Sequence, residues 1–505
     1  MICVSIGRTR HKMLLAEIQE AARQGVEFIE LRLDFIPRAL DFKRILDVKP
    51  CPFVATLRRQ QDGGRYGGSE AQRQMLLRQI IASRSFEYID LETDIANDIR
   101  RYGPTKRIVS YHNLKEMPPD LERICLQMTT QDPDVVKLAV RAEHPLDNLR
   151  VLELVKKAKV PTVAFCLGDM GVPSRLLGGK FGAPFTYAAF NKERGIAPGI
   201  LSWDEMRYLY YYDEINPETR LYAVLGDPIG HSLSPNVHNA AFRKKNMNAV
   251  YLPFRVPRPD IESTLDGLRK VPFFGYSITI PHKEAVLNLA AHRDEQVERT
   301  RALNTLVPDR YGALSAYNTD CDAALVSLRE AMTEMPGGNS LSGRTILILG
   351  AGGAARSLAF TLHQAGAVVT VTNRNAGRAL SLAGEVGCRS CDWTARNAIQ
   401  TEIYINCTPV GMHPNVDESP LHPSVFKPGI VVMDCVYNPE TTLLVRQARE
   451  RGARVITGVA MFVHQAARQF ELFTKQQAPE DVMYEAVRKV VSPVVQRYHE
   501  EPDAA

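Results

Sequence analysis

Residues 345–358 read Thr-Ile-Leu-Ile-Leu-Gly-Ala-Gly-Gly-Ala-Ala-Arg-Ser-Leu. Thr345 to Leu349 has the short, continuous apolar character of a fully buried strand. Gly350, Gly352 and Gly353 follow at once, with the small Ala355 where a third glycine would stand, and a helix begins there. A turn of this kind points backbone N–H groups at a pyrophosphate on a helix N-terminus, and small residues stand where larger side chains would collide with the phosphates. The alternative is an ordinary strand-to-helix turn, which the flanking strand and helix disfavour.

The next strand, Val368 to Thr372, selects the nucleotide. An NAD enzyme usually ends this strand in Asp or Glu, whereas this chain continues Asn373-Arg374, with Arg378 one helical turn later. A guanidinium favours a 2′-phosphate that a carboxylate would repel, so NADP is the expected cofactor; an ordinary solvated charge is the other reading of Arg374. Gly350, Ala351, Gly352, Gly353 and Ala354 are then the backbone contacts, and Asn373, Arg374 and Arg378 the ribose-phosphate contacts.

Around this motif the chain is an ordinary globular one. Its 505 residues exceed a single core, since a domain takes about 100–200 residues. With 45% hydrophobic and 24% charged residues and a net charge of +5, no basic run suggests a nucleic-acid groove. Nine scattered cysteines suit reduced thiols, and the Cys388/Cys391 pair lacks a second ligand pair for zinc, so no metal is expected. No apolar stretch approaches a membrane span of about 18 residues. The chain starts directly in a strand-like run, Met1 to Ile6, with no leader pattern, so a cytoplasmic location is expected.

The first two hundred residues alternate β-rich runs with amphipathic stretches. The eight runs are Ile2 to Ile6, Phe28 to Leu33, Phe53 to Leu57, Tyr88 to Leu91, Arg107 to Tyr111, Val135 to Val140, Thr162 to Cys166 and Phe185 to Phe190. Eight β-then-α units predict a (β/α)8 barrel over 1–212, with an open α/β sheet as the alternative. The polar stretch 213–219 reads as a linker. Residues 220–495 read as a two-lobed α/β dehydrogenase: 220–322 mainly a substrate lobe, 323–465 mainly a Rossmann-like NADP lobe, with the last helices returning to the substrate lobe. Residues 496–505 are expected to fray.

Separate strings in the second half resemble shikimate dehydrogenase: Leu225-Gly-Asp-Pro-Ile-Gly-His-Ser-Leu-Ser-Pro235, Ser277-Ile-Thr-Ile-Pro-His-Lys283, Asn304-Thr305, Asn318-Thr-Asp320, Asn406-Cys-Thr-Pro-Val-Gly411, Tyr437-Asn-Pro439 and Gly458-Val-Ala-Met-Phe-Val-His-Gln465. Reducing a ring ketone needs a hydride donor and a proton donor at the carbonyl oxygen, and a Lys paired with a carboxylate can relay that proton. Lys283 and Asp320 look like this pair. The resemblance implies that Ser232 and Ser234 hold the substrate carboxylate, that Thr279, Asn304, Asn318, Tyr437 and Gln465 hold the ring, and that Thr408 belongs to the cofactor site. Taken singly, the serines could be turn residues, Asn318 a cap and Lys283 a surface charge.

In the first half, Glu30-Leu-Arg-Leu-Asp34, Thr56-Leu-Arg58, Ser110-Tyr-His112, Val136-Lys-Leu138 and Ser174-Arg175 resemble type I 3-dehydroquinate dehydratase. A lysine inside a barrel strand is costly unless paired or functional, and desolvation favours the neutral amine that attacks a ketone to form a Schiff base. Lys137 is the candidate, and His112 suits the acid/base work because imidazole ordinarily titrates near neutrality. The resemblance implies that Glu30 helps to position these groups and that Arg32, Arg58 and Arg175 neutralise and orient the substrate. It also implies a carboxylate that orients His112; here that string is Asp62-Gly63-Gly64, one methylene shorter than the family's Glu. At Ile196-Ala-Pro-Gly-Ile200 the family usually has a hydroxyl residue first and Gln last, so two polar contacts are lost.

The leading expectation is an enzyme that dehydrates 3-dehydroquinate and reduces the product with NADPH, acting on small molecules rather than nucleic acid or membrane. Two alternatives are a dehydrogenase whose barrel has turned to another ring substrate such as quinate, and a sensor without turnover. The sensor predicts lost catalytic residues, yet Lys137, His112, Lys283 and Asp320 are all present.

Overall fold

The computed structural model describes residues 1–37, 40–195, 197–412 and 415–491. Two compact units emerge, one built on Met1–Leu221, Pro228–Gly230 and Asn248–Val271, the other on Tyr222–Asp227, His231–Met247 and the described chain from Pro272.

In the first unit the strands are β1 (Ile2–Ile6), β2 (Ile29–Arg32), β3 (Phe53–Thr56), β4 (Tyr88–Glu92), β5 (Lys106–Asn113), β6 (Val135–Arg141), β7 (Thr162–Leu167) and β8 (Thr186–Ala189). They lie in the order β7-β6-β5-β4-β3-β2-β1-β8, joined by parallel ladders. Among the described residues only the ladder between β7 and β8 is missing, so the sheet is a nearly closed (β/α)8 barrel. Cys3, Phe28, Val54, Ile108, Val135, Val163 and Phe185 form one apolar cluster with Phe165 and Tyr187. Residues further along the same strands, such as Glu30, His112 and Lys137, line a cavity, so the floor is packed and the C-terminal end carries the polar groups.

One expectation changes: the eight strands are not each followed by a helix. The segment between β4 and β5 holds only turns, with Asp, Asn, Gly and Pro favouring turn conformations and Ile95, Ala96 and Ile99 buried beneath. After β8, a short π-helical stretch, Glu205–Leu209, stands where an eighth α-helix was expected.

A mixed six-stranded sheet follows, with β9 (Arg220–Gly226), β10 (Ala249–Arg255), β11 (Phe273–Ile278), β12 (His292–Arg293), β13 (Thr305–Pro308) and β14 (Leu314–Tyr317) in the order β10-β9-β11-β13-β14-β12. The third sheet contains β15 (Thr345–Leu349), β16 (Val368–Asn373), β17 (Arg389–Asp392), β18 (Ile403–Asn406), β19 (Val431–Asp434) and β20 (Arg454–Ile456). All its ladders are parallel, and its order β17-β16-β15-β18-β19-β20 is the doubly wound arrangement that binds dinucleotides where the order reverses, between β15 and β18. Apolar clusters cover both faces, as a buried parallel sheet requires. Helices Thr319–Met332 and Gly458–Thr474 pack together, and the last described helix, Glu480–Val491, packs on Ser234–Lys244. No described helix is long and apolar enough to cross a membrane.

Candidate active sites

The barrel cavity, about 140 Å3, opens among the C-terminal ends of the strands. Lys137 on β6 projects into it, with its Nζ 3.0 Å from Asp90 Oδ2 and 3.3 Å from Glu30 Oε1, over the Tyr187 ring at 3.9 Å from the centroid. The ammonium is therefore paired with two carboxylates, and burial alone does not describe its surroundings. Asp90 also accepts from Ser110 Oγ at 2.5 Å and pairs with Arg58 at 2.7 Å; Arg58 reaches on to Glu92 at 2.9 Å. Burial alone would raise the Asp90 carboxyl, but Arg58 and Lys137 hold it well below the usual carboxylate range. Glu30 accepts from Ser5 and from Thr56 Oγ1 at 2.9 Å; burial opposes its ionised form, but Lys137 and Arg32 lower it.

His112 on β5 lines the same cavity. Burial, then the charges of Arg58 and Lys137, push its imidazole well below the ordinary value, which favours the neutral form. Asp62 does not hold it: Asp62 Oδ2 accepts from Arg59 Nε at 2.7 Å, while His112 Nδ1 is buried without a partner. The shorter carboxylate turns instead to the cation three residues back. The loop itself is tightly determined, because a Cβ on Gly64 would lie 2.1 Å from the Arg58 carbonyl oxygen.

Arg32 is held by Asp34 through two bonds of 2.9 Å. Arg175, 1% exposed, has no hydrogen-bond partner at Nε and one terminal nitrogen, and packs 4.1 Å from the Phe165 ring centroid. Burial pushes it down to about 10. A buried guanidinium facing a cavity without a counter-ion suits an anionic ligand. Ile200 lines the cavity with Ala197 and Pro198; Ile196 lies outside the described residues.

The dehydrogenase cavity, about 180 Å3, is lined by Ser232, Ser234, Thr279, Lys283, Asn304, Asp320, Tyr437 and Gln465. Lys283 Nζ donates to Asp320 Oδ2 at 2.5 Å, and Asn304 Nδ2 donates to Asp320 Oδ1 at 3.0 Å, so the carboxylate is gripped from both sides. Ser232 Oγ accepts from the Ser234 backbone N–H at 3.3 Å. Gln465 donates to the Phe462 carbonyl at 2.8 Å, and Phe462 stacks against Tyr437. Asn318 is corrected: it is absent from the cavity wall, and its amide nitrogen is taken up by Ala302 O at 3.0 Å and Ser357 Oγ at 2.9 Å. Its Oδ1 is buried without a partner, and its side chain makes no cap bond to helix Thr319–Met332.

Gly350 sits at the end of β15 with φ +117°, its N–H given to Thr372 O at 2.7 Å, and a Cβ there would come within 3.0 Å of the Cys407 carbonyl. Helix Gly353–Gln364 starts without a side-chain cap, and the space over Gly352 is open. An uncapped helix start beside a glycine with room around it fits a dinucleotide pyrophosphate. Asn373 closes β16, donating to Asn375 O at 3.1 Å. Arg374 and Arg378 are exposed and show no side-chain hydrogen bond or ion pair among the described residues. Ala351 and Ala354 flank the turn, whereas the Thr408 hydroxyl is engaged locally with Asn406 Oδ1 at 2.7 Å.

Sequence reading missed Asp90, Glu92 and Gln469. Asp90 and Glu92 alternate on β4, and acidic residues at that period on a barrel strand signal a charged interior. Gln469 follows Gln465 by four positions on one helix face, receives Ser277 Oγ at 2.7 Å and donates to Asn304 O at 3.0 Å, locking that loop.

Comparison with known proteins agrees with this geometry. Residues 2–217 match the family described as Type I 3-dehydroquinase. Residues 224–306, 331–407 and 458–488 match the shikimate dehydrogenase substrate binding domain, shikimate / quinate 5-dehydrogenase and the shikimate 5'-dehydrogenase C-terminal domain. A protein of Arabidopsis thaliana named bifunctional 3-dehydroquinate dehydratase/shikimate dehydrogenase, chloroplastic, is 33% identical over 97% of this chain and 84% of its own. A shikimate dehydrogenase (NADP(+)) of Methanosarcina barkeri is 38% identical over 53% of this chain and 97% of its own. A crystal structure of a shikimate dehydrogenase in complex with NADP+ superposes with a TM-score of 0.51 at 32% identity, covering 55% of this chain and 98% of that one. The chain belongs to the bifunctional 3-dehydroquinate dehydratase/shikimate dehydrogenase family, combining a lyase and an NADP-dependent oxidoreductase of the shikimate pathway.

Proposed function

We propose that Lys137 is the Schiff-base lysine of the barrel and that Lys283 with Asp320 is the proton-transfer pair of the dehydrogenase. The observation that carries the first assignment is the Lys137 amine, projecting into a cavity that also holds a neutral His112 and an unpaired Arg175. Arg175 takes the carboxylate of 3-dehydroquinate, and Arg32 and Arg58 orient its ring. The ammonium passes a proton to His112, the freed amine attacks the ketone, and His112 returns that proton to the carbinolamine hydroxyl, which leaves as water and gives an iminium that withdraws electrons from the neighbouring carbon. His112 removes the proton there and returns it to the departing hydroxyl; Glu30, held by Ser5 and Thr56, steadies the amine. Hydrolysis frees 3-dehydroshikimate. Asp62 fixes Arg59 at the rim.

In the second half Ser232 and Ser234 receive the carboxylate, and Thr279, Asn304, Tyr437 and Gln465 surround the ring. Gly350 to Ala354 receive the pyrophosphate, Asn373, Arg374 and Arg378 the ribose 2′-phosphate, and Thr408 holds the adjoining loop. NADPH, when bound, supplies the hydride. Lys283 donates the proton to the carbonyl oxygen, and Asp320 keeps the ammonium aimed. The same reading divides the chain into a barrel (1–212), a linker (213–219) and a dehydrogenase (220–495), and places it in the cytoplasm, where its nine free cysteines stay reduced; fractionation of the source cells tests the compartment.

Borohydride added with 3-dehydroquinate should leave a reduced adduct on the peptide containing Lys137. An unmodified Lys137 under turnover sinks the assignment. Ile200 favours a second reading for the barrel, a preference for another ring such as quinate, because it places an alkyl group in the cavity wall. Comparing kcat/KM for the two ring acids decides between them.

A further inference from the structure

Beneath the nucleotide turn lie three sulfurs that neither reaction uses. Cys407 follows β18 and Cys435 follows β19, adjacent strands paired through Asn406 and Asp434, so the two thiols project side by side with Sγ atoms 3.8 Å apart. Met461, in the first turn of helix Gly458–Thr474, brings its Sδ to 3.8 Å from Cys435 Sγ. Cys435 and Met461 line the dehydrogenase cavity, so the group is reached from the cleft.

The donor set is soft. Thiolate and thioether sulfur select copper(I)-class ions over magnesium, calcium or manganese, which prefer oxygen. Both separations from Cys435, 3.8 Å each, fit as well: with metal–sulfur bonds of about 2.3 Å, as thiolate–zinc bonds have, the corners of a planar triangle lie about 4 Å apart. A disulfide is the competing use of two neighbouring cysteines. It would need the two Sγ atoms to close from 3.8 Å to about 2.05 Å and would leave the Met461 sulfur unused. A bound metal instead displaces the thiol protons itself.

We propose that Cys407, Cys435 and Met461 form a three-sulfur site for a monovalent thiophilic ion of the copper(I) class, whose occupancy stops the dehydrogenase half and leaves the dehydratase half running. Binding joins the ion to two sulfurs that each lose a proton and to the thioether lone pair; no electron is transferred. Cys435 stands in the cleft wall two residues before Tyr437, and the Cys407 carbonyl lies close to Gly350, so an ion held by these residues touches both sides of the reductive site.

The two activities of one chain supply the control. The full-length protein is titrated anaerobically with copper(I) delivered as its acetonitrile complex, with bicinchoninate as competitor, and both half-reactions are assayed. One equivalent should lower reduction of 3-dehydroshikimate at least tenfold, change dehydration less than twofold, and be reversed by the chelator. The Cys407→Ala/Cys435→Ala protein should bind one equivalent less and lose that inhibition relative to its own uninhibited rate. Met461→Leu, similar in volume, covers the case in which the double variant fails to fold, and should weaken copper(I) binding at least tenfold. Equal binding by wild type and variants, equal inhibition of both halves, or inhibition reversed only by a thiol reductant after chelation would overturn the proposal.

Discussion

The barrel cavity and the dehydrogenase cavity are close in size, about 140 and 180 Å3, yet they are built on opposite electrostatic plans. In the barrel, Glu30, Arg58, Asp90, Glu92 and Lys137 are all buried and joined into one continuous ion network. In the dehydrogenase, one ion pair, Lys283 with Asp320, stands among neutral serine, threonine, asparagine, tyrosine and glutamine side chains, beside an uncapped turn and two free arginines. The contrast follows from where each reagent comes from. A site that makes its own nucleophile must hold charges in place and compensate them internally, whereas one that borrows a hydride must keep donors open.

The largest effects should separate the halves cleanly. Lys137→Ala should lower dehydration by about 10,000-fold or more with dehydrogenase kcat unchanged, measured in separate assays of each half-reaction. Lys283→Ala should do the reverse, lowering reduction by about 100- to 10,000-fold and sparing dehydration. Loss of both activities from either substitution would break the picture of two separate plans.

Next come tests of the charge networks themselves. Asp90→Asn leaves Arg58 and Lys137 short of a buried partner and should destabilise the barrel by about 3 kcal/mol, read as faster amide exchange in β4 to β6. Asp320→Asn, which removes the charge from a buried carboxylate with a single cation partner, should cost about 2 kcal/mol. Arg374→Ala should raise KM for NADPH roughly tenfold and leave KM for NADH unchanged, with a smaller effect at high salt because the guanidinium is exposed. The smallest change is Ile200→Gln, which should lower KM for 3-dehydroquinate about three- to tenfold if the apolar wall weakens binding; an unchanged KM would detach Ile200 from substrate recognition.

Much of this was legible in the chain because it is local. The alternation of buried strands, the glycine turn at Gly350 and the Asn373-Arg374 ending depend on neighbours in sequence, and the structure places them as their patterns imply. What escaped depends on residues far apart. Asp90 meets Lys137 across the barrel interior, 47 positions away, so no spacing rule pairs them. Asn318 has the composition of a ring contact, yet three groups on separate segments, Thr300, Ala302 and Ser357, draw its amide inward. Asp62 could be paired with His112 by family pattern, but one methylene less leaves it with Arg59. The β4–β5 connection shows that strand count can be right where helix count is not, since buried apolar residues pack against a barrel from turns as well as from helices.

The most direct measurement supplies wild-type protein with 3-dehydroquinate and NADPH only and follows the nicotinamide absorbance. Two active sites predict NADPH consumption that disappears in either Lys137→Ala or Lys283→Ala and returns when the two variant proteins are mixed. Consumption from added 3-dehydroshikimate but none from 3-dehydroquinate would contradict the account, because the barrel would then not make the ketone that the dehydrogenase reduces.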